Sequence, residues 1–117
     1  MIMIVDDNAA MRGIIKQYVQ SISVNHQFYE CIDGLEAVDA FHRIHPDWVL
    51  MDIKMPNMDG LAATTTIRQQ FPDAKVIIVS DFDDPALREA ARRAGASGYV
   101  LKDNLKEIRD FISTEQQ

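Results

Sequence analysis

The chain alternates short, wholly apolar runs with longer stretches in which apolar residues recur every three or four positions. The apolar runs from Ile2 to Val5, Trp48 to Met51 and Val76 to Val79 predict strands buried on both faces, and the apolar run from Tyr99 to Leu101 predicts a further core strand. The shorter, mixed run from Phe28 to Cys31 predicts an edge strand. Five helices alternate with these five strands, a pattern that predicts a parallel sheet covered by helices on both sides.

Turn and capping residues set the ends of the predicted helices. Helix 1 is expected from Asn8 to Ile22, and Asp33, three residues before Glu36, predicts a capping box at the start of helix 2. The other starts are expected at Asp59-Gly60, at Asp83-Asp84 and at Asn104, the last with Glu107 as its capping partner. The predicted inward faces include Ile14, Ile15, Leu35, Phe41, Ala90 and Ala91.

A polar residue follows each of the predicted core strands. These residues are Asp6 and Asp7, Asp52, Ser80 and Lys102. The carboxyl ends of parallel strands share one edge of an open sheet, and ligands bind in the crevice outside that edge. Taken alone, Asp52 is explained as a helix cap or a solvated turn residue, Ser80 as a turn hydroxyl and Lys102 as a solvated cation. Their coincidence on one edge favours a functional site.

The residue types at this edge indicate phosphoryl chemistry. Three crowded carboxylates raise one another's pKa, and a hard divalent cation relieves the repulsion; oxygen ligands with room for water suit magnesium. A lysine ammonium and a serine hydroxyl are groups that hold phosphoryl oxygens during in-line transfer. Asp52, at the centre, is the candidate nucleophile for an acyl-phosphate. Because the chain has no glycine-rich phosphate loop, the phosphoryl donor is expected to be another molecule.

Composition narrows the class of protein. A chain of 117 residues is one domain with enough length for a core. Its net charge of -6 argues against nucleic acid as a direct partner, because phosphate backbones need a basic face. No apolar stretch approaches the ~18 residues of a membrane span, no signal peptide is visible, and the single Cys31 excludes an intramolecular disulfide. These features predict a cytoplasmic location without membrane contact.

Four segments resemble one known family. Ile4 to Asn8, Leu50 to Gly60, Val79-Ser80 and Gly95 to Lys102 closely resemble the receiver domain of two-component response regulators, and the resemblance covers essentially the whole chain. It implies a flavodoxin-like (βα)5 fold, a doubly wound parallel α/β sheet with strand order 2-1-3-4-5. Residues 1–117 would then form one receiver domain, with no effector domain present.

The family resemblance also implies a set of site residues. Asp52 would accept the phosphoryl group, and Asp7 and Asp52 would ligate Mg²⁺, with Asp6 acting directly or through water. The backbone carbonyl of Lys54 would complete the protein ligands, and Lys102 would pair with the phosphoryl group. The donor would be a sensor histidine kinase or a phosphotransfer protein. A homodimer is compatible with the resemblance. Such a domain is not an enzyme, although it catalyses its own phosphorylation and dephosphorylation.

Ser80 and Tyr99 match the family's switch pair, in which the hydroxyl moves toward the phosphoryl group and the aromatic ring turns inward. Three residues near the site set this chain apart. Asp81 adds an acid where receivers often carry a small residue, and Lys54 and Phe82 stand where they line the entrance. These three residues are expected to tune the lifetime of the phosphoryl group, Asp81 by repulsion or by narrowing access.

The segment from Tyr99 to Asp103 and the Asp83-Asp84 helix start look most like receivers of NarL/LuxR-type regulators, which carry a C-terminal DNA-binding domain. The chain is therefore expected to be either a single-domain regulator or part of a longer one. Two alternatives stay open. The intact acids and Lys102 argue against a receiver-fold binding module that works without phosphorylation, but Asp81 keeps that alternative open. A phosphatase of haloacid-dehalogenase type would need an acid two residues after Asp52, where Lys54 stands.

Overall fold

The computed structural model describes residues 1–22 and 25–115. Five parallel strands form one sheet in the order β2-β1-β3-β4-β5, which confirms the predicted topology. The strands are β1 (Ile2–Val5), β2 (Phe28–Cys31), β3 (Trp48–Met51), β4 (Val76–Ser80) and β5 (Gly98–Leu101). The predicted domain of 1–117 also includes residues 23–24 and 116–117, which lie outside the described part.

Helices connect the strands in turn. They are α1 (Ala9–Ile22), α2 (Gly34–Ile44), α3 (Gly60–Gln70), α4 (Pro85–Ala94) and α5 (Ile108–Glu115), and a 3₁₀ segment (Lys102–Glu107) links β5 to α5. Three of the predicted helix caps are formed: the Asp33, Asp59 and Asp84 carboxylates accept from backbone N–H groups 2.8–2.9 Å away. Within the described residues, no helix is long and apolar enough to cross a membrane.

Two apolar cores lie on opposite faces of the sheet. Successive residues of a strand point to opposite faces, so Met3 and Val5 pack with α2 and α3 while Ile2 and Ile4 pack with α1 and α5. Both faces are therefore buried, which explains why the core strands read as unbroken apolar runs. This arrangement leaves the carboxyl edge of the sheet for polar residues.

Two residues predicted to face the core are solvent-exposed. Ile14 is 50% exposed, because the buried stripe of α1 is centred on its neighbour Ile15 and on Val19. Leu35, the second residue of α2, is 52% exposed, whereas Ala37, Ala40 and Phe41 carry the buried face of that helix. Apolar spacing alone had placed both on the inner side.

The prediction that Asn104 caps helix 5, with Glu107 as its partner, is wrong. Asn104 has φ -141° and ψ 52°, a non-helical conformation that kinks the 3₁₀ segment, and α5 begins only at Ile108. The tighter segment brings Leu105 and Ile108 onto the core shared with α1. Ile108 is fully buried in this core, and Leu105 is partly buried against it.

Candidate functional site

The carboxyl ends of β1, β3, β4 and β5 deliver the four predicted polar positions to one edge. β1 and β3 are paired in register up to Val5 and Met51, and the backbone N–H of Asp52 donates to the Val5 carbonyl across 2.9 Å. Asp6 and Asp52 therefore follow adjacent strand ends, and both carboxylates are buried.

Lys102 lies among three carboxylates. Its Nζ is 2.9 Å from Asp6 Oδ2, 3.3 Å from Asp52 Oδ1 and 3.7 Å from Asp81 Oδ2. The lysine side chain is only 9% exposed. Burial alone would lower the pKa of Lys102, but the three carboxylates outweigh it and the pKa lies above its ordinary value. The ammonium therefore stays charged and holds the acids together.

The pKa of Asp52 is unusually high for an aspartate. Burial, and then the charge of Asp6, raise the pKa of Asp52 to about 6. The Lys102 ammonium and the Ile53 N–H, which donates to Asp52 Oδ1 across 2.9 Å, oppose that rise. The carboxylate is thus mostly ionised at neutral pH, as a nucleophile must be, and becomes protonated in mild acid.

Asp6, Asp7 and Asp52 can converge on one cation. Each offers a carboxylate oxygen, and the three oxygens lie within 4.8 Å of one another. Asp6 Oδ1 accepts from the N–H of Asn8, whereas Asp6 Oδ2 is buried without a hydrogen bond although Lys102 Nζ stands near it. The Asp6 carboxylate is therefore paired with the lysine and still lies close enough to Asp7 and Asp52 to share a cation with them. An all-oxygen donor set fits a hard divalent metal.

The backbone after Asp52 is held closely against α3. The N–H of Gly60, the first residue of α3, donates to the Ile53 carbonyl across 2.8 Å. A Cβ at Gly60 would lie 1.8 Å from the Asp52 carbonyl oxygen, so only glycine fits this approach. The loop between Asp52 and α3 contains Lys54, whose exposed side chain extends its Nζ to 4.4 Å from the centre of the Phe82 ring.

Ser80 and Tyr99 meet at the backbone of Phe82. The Phe82 N–H donates to Ser80 Oγ across 3.0 Å, and the Tyr99 hydroxyl donates to the Phe82 carbonyl across 2.6 Å. The Arg88 guanidinium lies 4.7 Å from the centre of the Tyr99 ring. Ser80 is buried and Tyr99 is half-buried. The two switch candidates are therefore joined through the backbone of one residue, Phe82, in the segment between β4 and α4.

The site also contains a residue that the sequence did not single out. Arg12 donates through Nη1 to the Asp6 carbonyl across 2.7 Å and through Nε to Glu30 Oε1 across 2.8 Å. It supports the backbone that carries Asp6. Nothing in its sequence context marks it, because its partner Glu30 lies on β2 and is brought near only by the pairing of β1 with β2.

Comparison with known proteins gives one consistent family. The response regulator receiver domain family matches residues 2–113. The transcriptional regulatory protein DegU of Brevibacillus brevis is 35% identical over 102 residues, covering 87% of this chain and 43% of DegU. The response regulator VraR of Staphylococcus aureus is 34% identical over 112 residues, covering 95% of this chain and 54% of VraR. The chain thus spans about half the length of the curated relatives it matches.

Solved structures agree with this result. A LuxR-family DNA-binding response regulator from Staphylococcus aureus superposes with a TM-score of 0.87 at 28% identity, covering 99% of this chain and 98% of that one. A chain in the CheX–CheY–BeF3–Mg complex from Borrelia burgdorferi superposes with a TM-score of 0.80 at 27% identity, covering 99% of this chain and 88% of that one. Both neighbours share the fold of this chain, and the Staphylococcus aureus neighbour is described as a response regulator.

Proposed function

This chain belongs to the response regulator receiver domain family of two-component signalling, and we propose that it is a switch whose phosphoryl group is carried on Asp52. Receiver domains are signalling modules. The observation that carries the proposal is the Lys102 ammonium 3.3 Å from Asp52, beside Asp6 at the carboxyl edge of the sheet. A nucleophilic carboxylate next to a fixed cation is suited to accept a phosphoryl group.

The proposed donor is the phosphohistidine of a sensor histidine kinase or of a phosphotransfer protein. An Asp52 carboxylate oxygen attacks the phosphorus, the P–O bond forms as the P–N bond breaks, and the imidazole leaves and takes a proton from solvent. Lys102 then pairs with the transferred phosphoryl oxygens. Hydrolysis of the acyl-phosphate in the same site returns Asp52 to a free carboxylate, so that the domain dephosphorylates itself.

Mg²⁺ is the proposed metal. Asp7 and Asp52 would hold it, with Asp6 acting directly or through water and with the backbone carbonyl of Lys54. When bound, it would neutralise charge on the phosphoryl oxygens. The proposal is supported by the three convergent carboxylates and the all-oxygen donor set. The structural neighbour from Borrelia burgdorferi is described as a complex with BeF3 and magnesium.

The switch proposal assigns the response to Ser80 and Tyr99. A phosphoryl group on Asp52 draws the Ser80 hydroxyl toward it, which removes the acceptor of the Phe82 N–H. Because Tyr99 is bound to the carbonyl of the same residue, its ring is released with that backbone. Helix α4 follows directly and buries only Ala91 against the core, so it is lightly anchored. The phosphoryl group shifts this equilibrium only by what it gains in one state over the other.

Asp81, Lys54 and Phe82 are proposed to tune the lifetime of the phosphoryl group. Asp81 competes with the phosphoryl oxygens for Lys102, since its carboxylate already lies 3.7 Å from the ammonium. Lys54 and Phe82 contact each other across the entrance as a cation–π pair. Their contact narrows the path by which water and donors reach Asp52.

The proposed role implies a cellular location and a set of binding partners. We place residues 1–117, as one receiver domain, in the cytoplasm, where a kinase phosphorylates it and where it forms a homodimer in some states. Direct nucleic-acid binding is not part of the proposed role, because this chain has a net charge of -6. The DNA-binding description of the Staphylococcus aureus neighbour and the regulatory descriptions of DegU and VraR belong to those proteins.

A second candidate is a binding module regulated without phosphorylation. Asp81 favours it, because an acid that already engages Lys102 can replace the phosphoryl group as the partner of that lysine. A phosphatase of haloacid-dehalogenase type has less support, since Lys54 stands where its second acid is needed. Retained partner binding by the metal-free Asp52→Ala variant would favour the binding module, and turnover of small phosphate esters would favour the phosphatase.

The test of the proposal is phosphoryl uptake. The wild type and Asp52→Asn are incubated with Mg²⁺ and acetyl phosphate, and intact mass is measured with and without EDTA. Wild type should gain one phosphoryl group only when Mg²⁺ is present, and Asp52→Asn should gain none. If wild type gains none, and beryllofluoride also fails to bind, the switch proposal fails.

A further inference from the structure

Two loops at the carboxyl edge are joined by a contact that the proposed chemistry does not use. Asp33, the cap of α2, also accepts a hydrogen bond from Asn57 Nδ2 through its Oδ2, at 2.7 Å. Asn57 belongs to the loop that follows Asp52, and 24 positions separate the two partners in the chain. The contact therefore connects the start of α2 with the loop that carries Lys54.

Both carboxylate oxygens of Asp33 are used. Oδ1 accepts from the Glu36 N–H at 2.9 Å, and Oδ2 accepts from Asn57. The side chain is buried, and the Glu36 N–H, followed by the Asn57 amide, keeps the pKa of Asp33 below its ordinary value against the effect of burial. Loss of the Asn57 amide would leave one oxygen of a buried carboxylate without a partner.

A backbone contact reinforces the connection one residue further along each loop. The Gly34 N–H donates to the Met58 carbonyl at 3.0 Å. A Cβ at Gly34 would lie 2.4 Å from that carbonyl oxygen, so the two backbones approach as closely as glycine allows. The Asp33–Asn57 and Gly34–Met58 contacts together form what we term the clasp.

The clasp holds the tip of a loop whose base is already fixed. Gly60 donates to the Ile53 carbonyl at the base, and Asn57 at the tip has a φ of +68°. Asparagine tolerates this left-handed conformation better than most residues. The backbone of Lys54 lies between base and tip. A loop fixed at both places presents its carbonyl groups in one arrangement, whereas a loop fixed only at its base samples several.

We propose that Asp33 and Asn57 are positioning residues that hold the loop after Asp52 in the conformation that binds a divalent cation. The inference rests on the proposed metal site but not on phosphorylation. Neither residue is a ligand. Their action is to order the Lys54 carbonyl before the metal arrives, which reduces the entropy lost on binding. Supporting groups of this kind typically change metal affinity by about 10- to 100-fold when they are removed.

The test exchanges the two partners. In Asn57→Asp, carboxylates face each other and the contact is lost. In the double variant Asp33→Asn with Asn57→Asp, the amide at 33 can donate to the carboxylate at 57 while its oxygen still caps α2, and the net charge is that of wild type. Calorimetric titration of metal-stripped proteins with Mg²⁺ gives the dissociation constants, and circular dichroism gives the melting temperatures.

We expect Asn57→Asp to bind Mg²⁺ about 10-fold more weakly than wild type and the double variant to recover most of that loss. Asn25→Asp, which adds the same charge at an exposed position before β2, is the control and should bind like wild type. Asn57→Gly keeps the left-handed backbone without the amide, and should also bind more weakly. This variant supplies the measurement if Asn57→Asp unfolds.

Equal affinities in wild type, Asn57→Asp and Asn57→Gly would overturn the clasp while leaving the proposed function intact. A double variant no better than Asn57→Asp would overturn it as well, since restored pairing would then have no effect. If wild type itself binds no Mg²⁺, both the metal site and the clasp fail. If the variants have lower melting temperatures but unchanged Mg²⁺ affinity, the clasp is only structural and the proposal is wrong.

Discussion

The carboxylate of Asp81 lies 3.7 Å from the Lys102 ammonium, which also contacts Asp6 and Asp52. The Asp81 side chain is 66% exposed, whereas Asp6 is fully buried. Lys102 therefore contacts a buried acid, Asp6, inside the site and a solvent-exposed acid, Asp81, at its rim. A phosphoryl group on Asp52 must compete with this outer acid for the lysine.

Asp81→Asn should accelerate phosphoryl uptake from acetyl phosphate. Removal of the rim charge frees Lys102 for the donor and lowers the repulsion of an anionic substrate. Because Asp81 is largely exposed and screened by solvent, we expect only about a two- to five-fold increase in the uptake rate at low salt, falling as salt rises. Asp73→Asn, which removes the same charge just before β4, is the control. An uptake rate equal to or below that of wild type would contradict this prediction.

Asp52→Asn should stabilise the metal-free protein at neutral pH. The folded pKa of Asp52 is raised to about 6, so the folded state binds more protons than the unfolded state between the two pKa values. Stability therefore falls as pH rises through that window and stays low above it. Neutralising the side chain should recover on the order of 2–3 kcal/mol near pH 8.

That gain should vanish at about pH 4, where wild-type Asp52 is itself protonated in the folded state. Urea denaturation in EDTA, followed by the fluorescence of the buried Trp48, measures it. If the variant is less stable than wild type near pH 8, the prediction is wrong. The attraction between the Asp52 carboxylate and Lys102 would then outweigh the cost of burying that charge.

Lys102→Met should destabilise the metal-free protein and increase its dependence on Mg²⁺. Loss of the ammonium leaves Asp6 and Asp52 buried without their cation, at a cost of about 3 kcal/mol. A divalent metal at the acids should recover part of that loss, so the melting temperature of the variant should rise more with Mg²⁺ than that of wild type. Lys106→Met removes an exposed lysine nearby and should behave like wild type. The prediction fails if Mg²⁺ raises both melting temperatures equally.

Two glycines should respond oppositely to alanine. Gly60→Ala places a Cβ within 1.8 Å of the Asp52 carbonyl and should cost at least ~2 kcal/mol in the free energy of unfolding. Gly13→Ala adds a Cβ that meets nothing within 4 Å, inside α1, and should gain about 0.5–1 kcal/mol. Chemical denaturation of both variants measures the difference. A tolerated Gly60→Ala would contradict the close approach of α3 to Asp52.

The strands and the acidic edge could be predicted from sequence because their signals are local. Apolar runs buried on both faces mark β1, β3 and β4, and the first polar residue after each marks the edge of a parallel sheet. The caps Asp33 and Asp59 are local as well. Each of these features is determined within a few residues of the chain.

The features that were not predicted depend on tertiary placement. Ile14 and Ile15 have equal apolarity, and only the position of α1 on the sheet decides which is buried. Arg12 meets Glu30 because β1 pairs with β2. The start of α5 lies beyond Asn104 because a 3₁₀ segment follows β5 and leads to the buried Ile108. A capping pattern carries no information about such tertiary packing.

The most direct measurement is the position of the phosphoryl group itself. Protein incubated with Mg²⁺ and acetyl phosphate is reduced with borohydride, which converts an aspartyl-phosphate to homoserine, and peptide mass spectrometry then locates the changed residue. We predict conversion at Asp52 alone, and none in Asp52→Asn or in EDTA. Conversion at Asp6 or Asp7 in place of Asp52, or no conversion in wild type, would contradict the assignment of Asp52 as the phosphoryl acceptor.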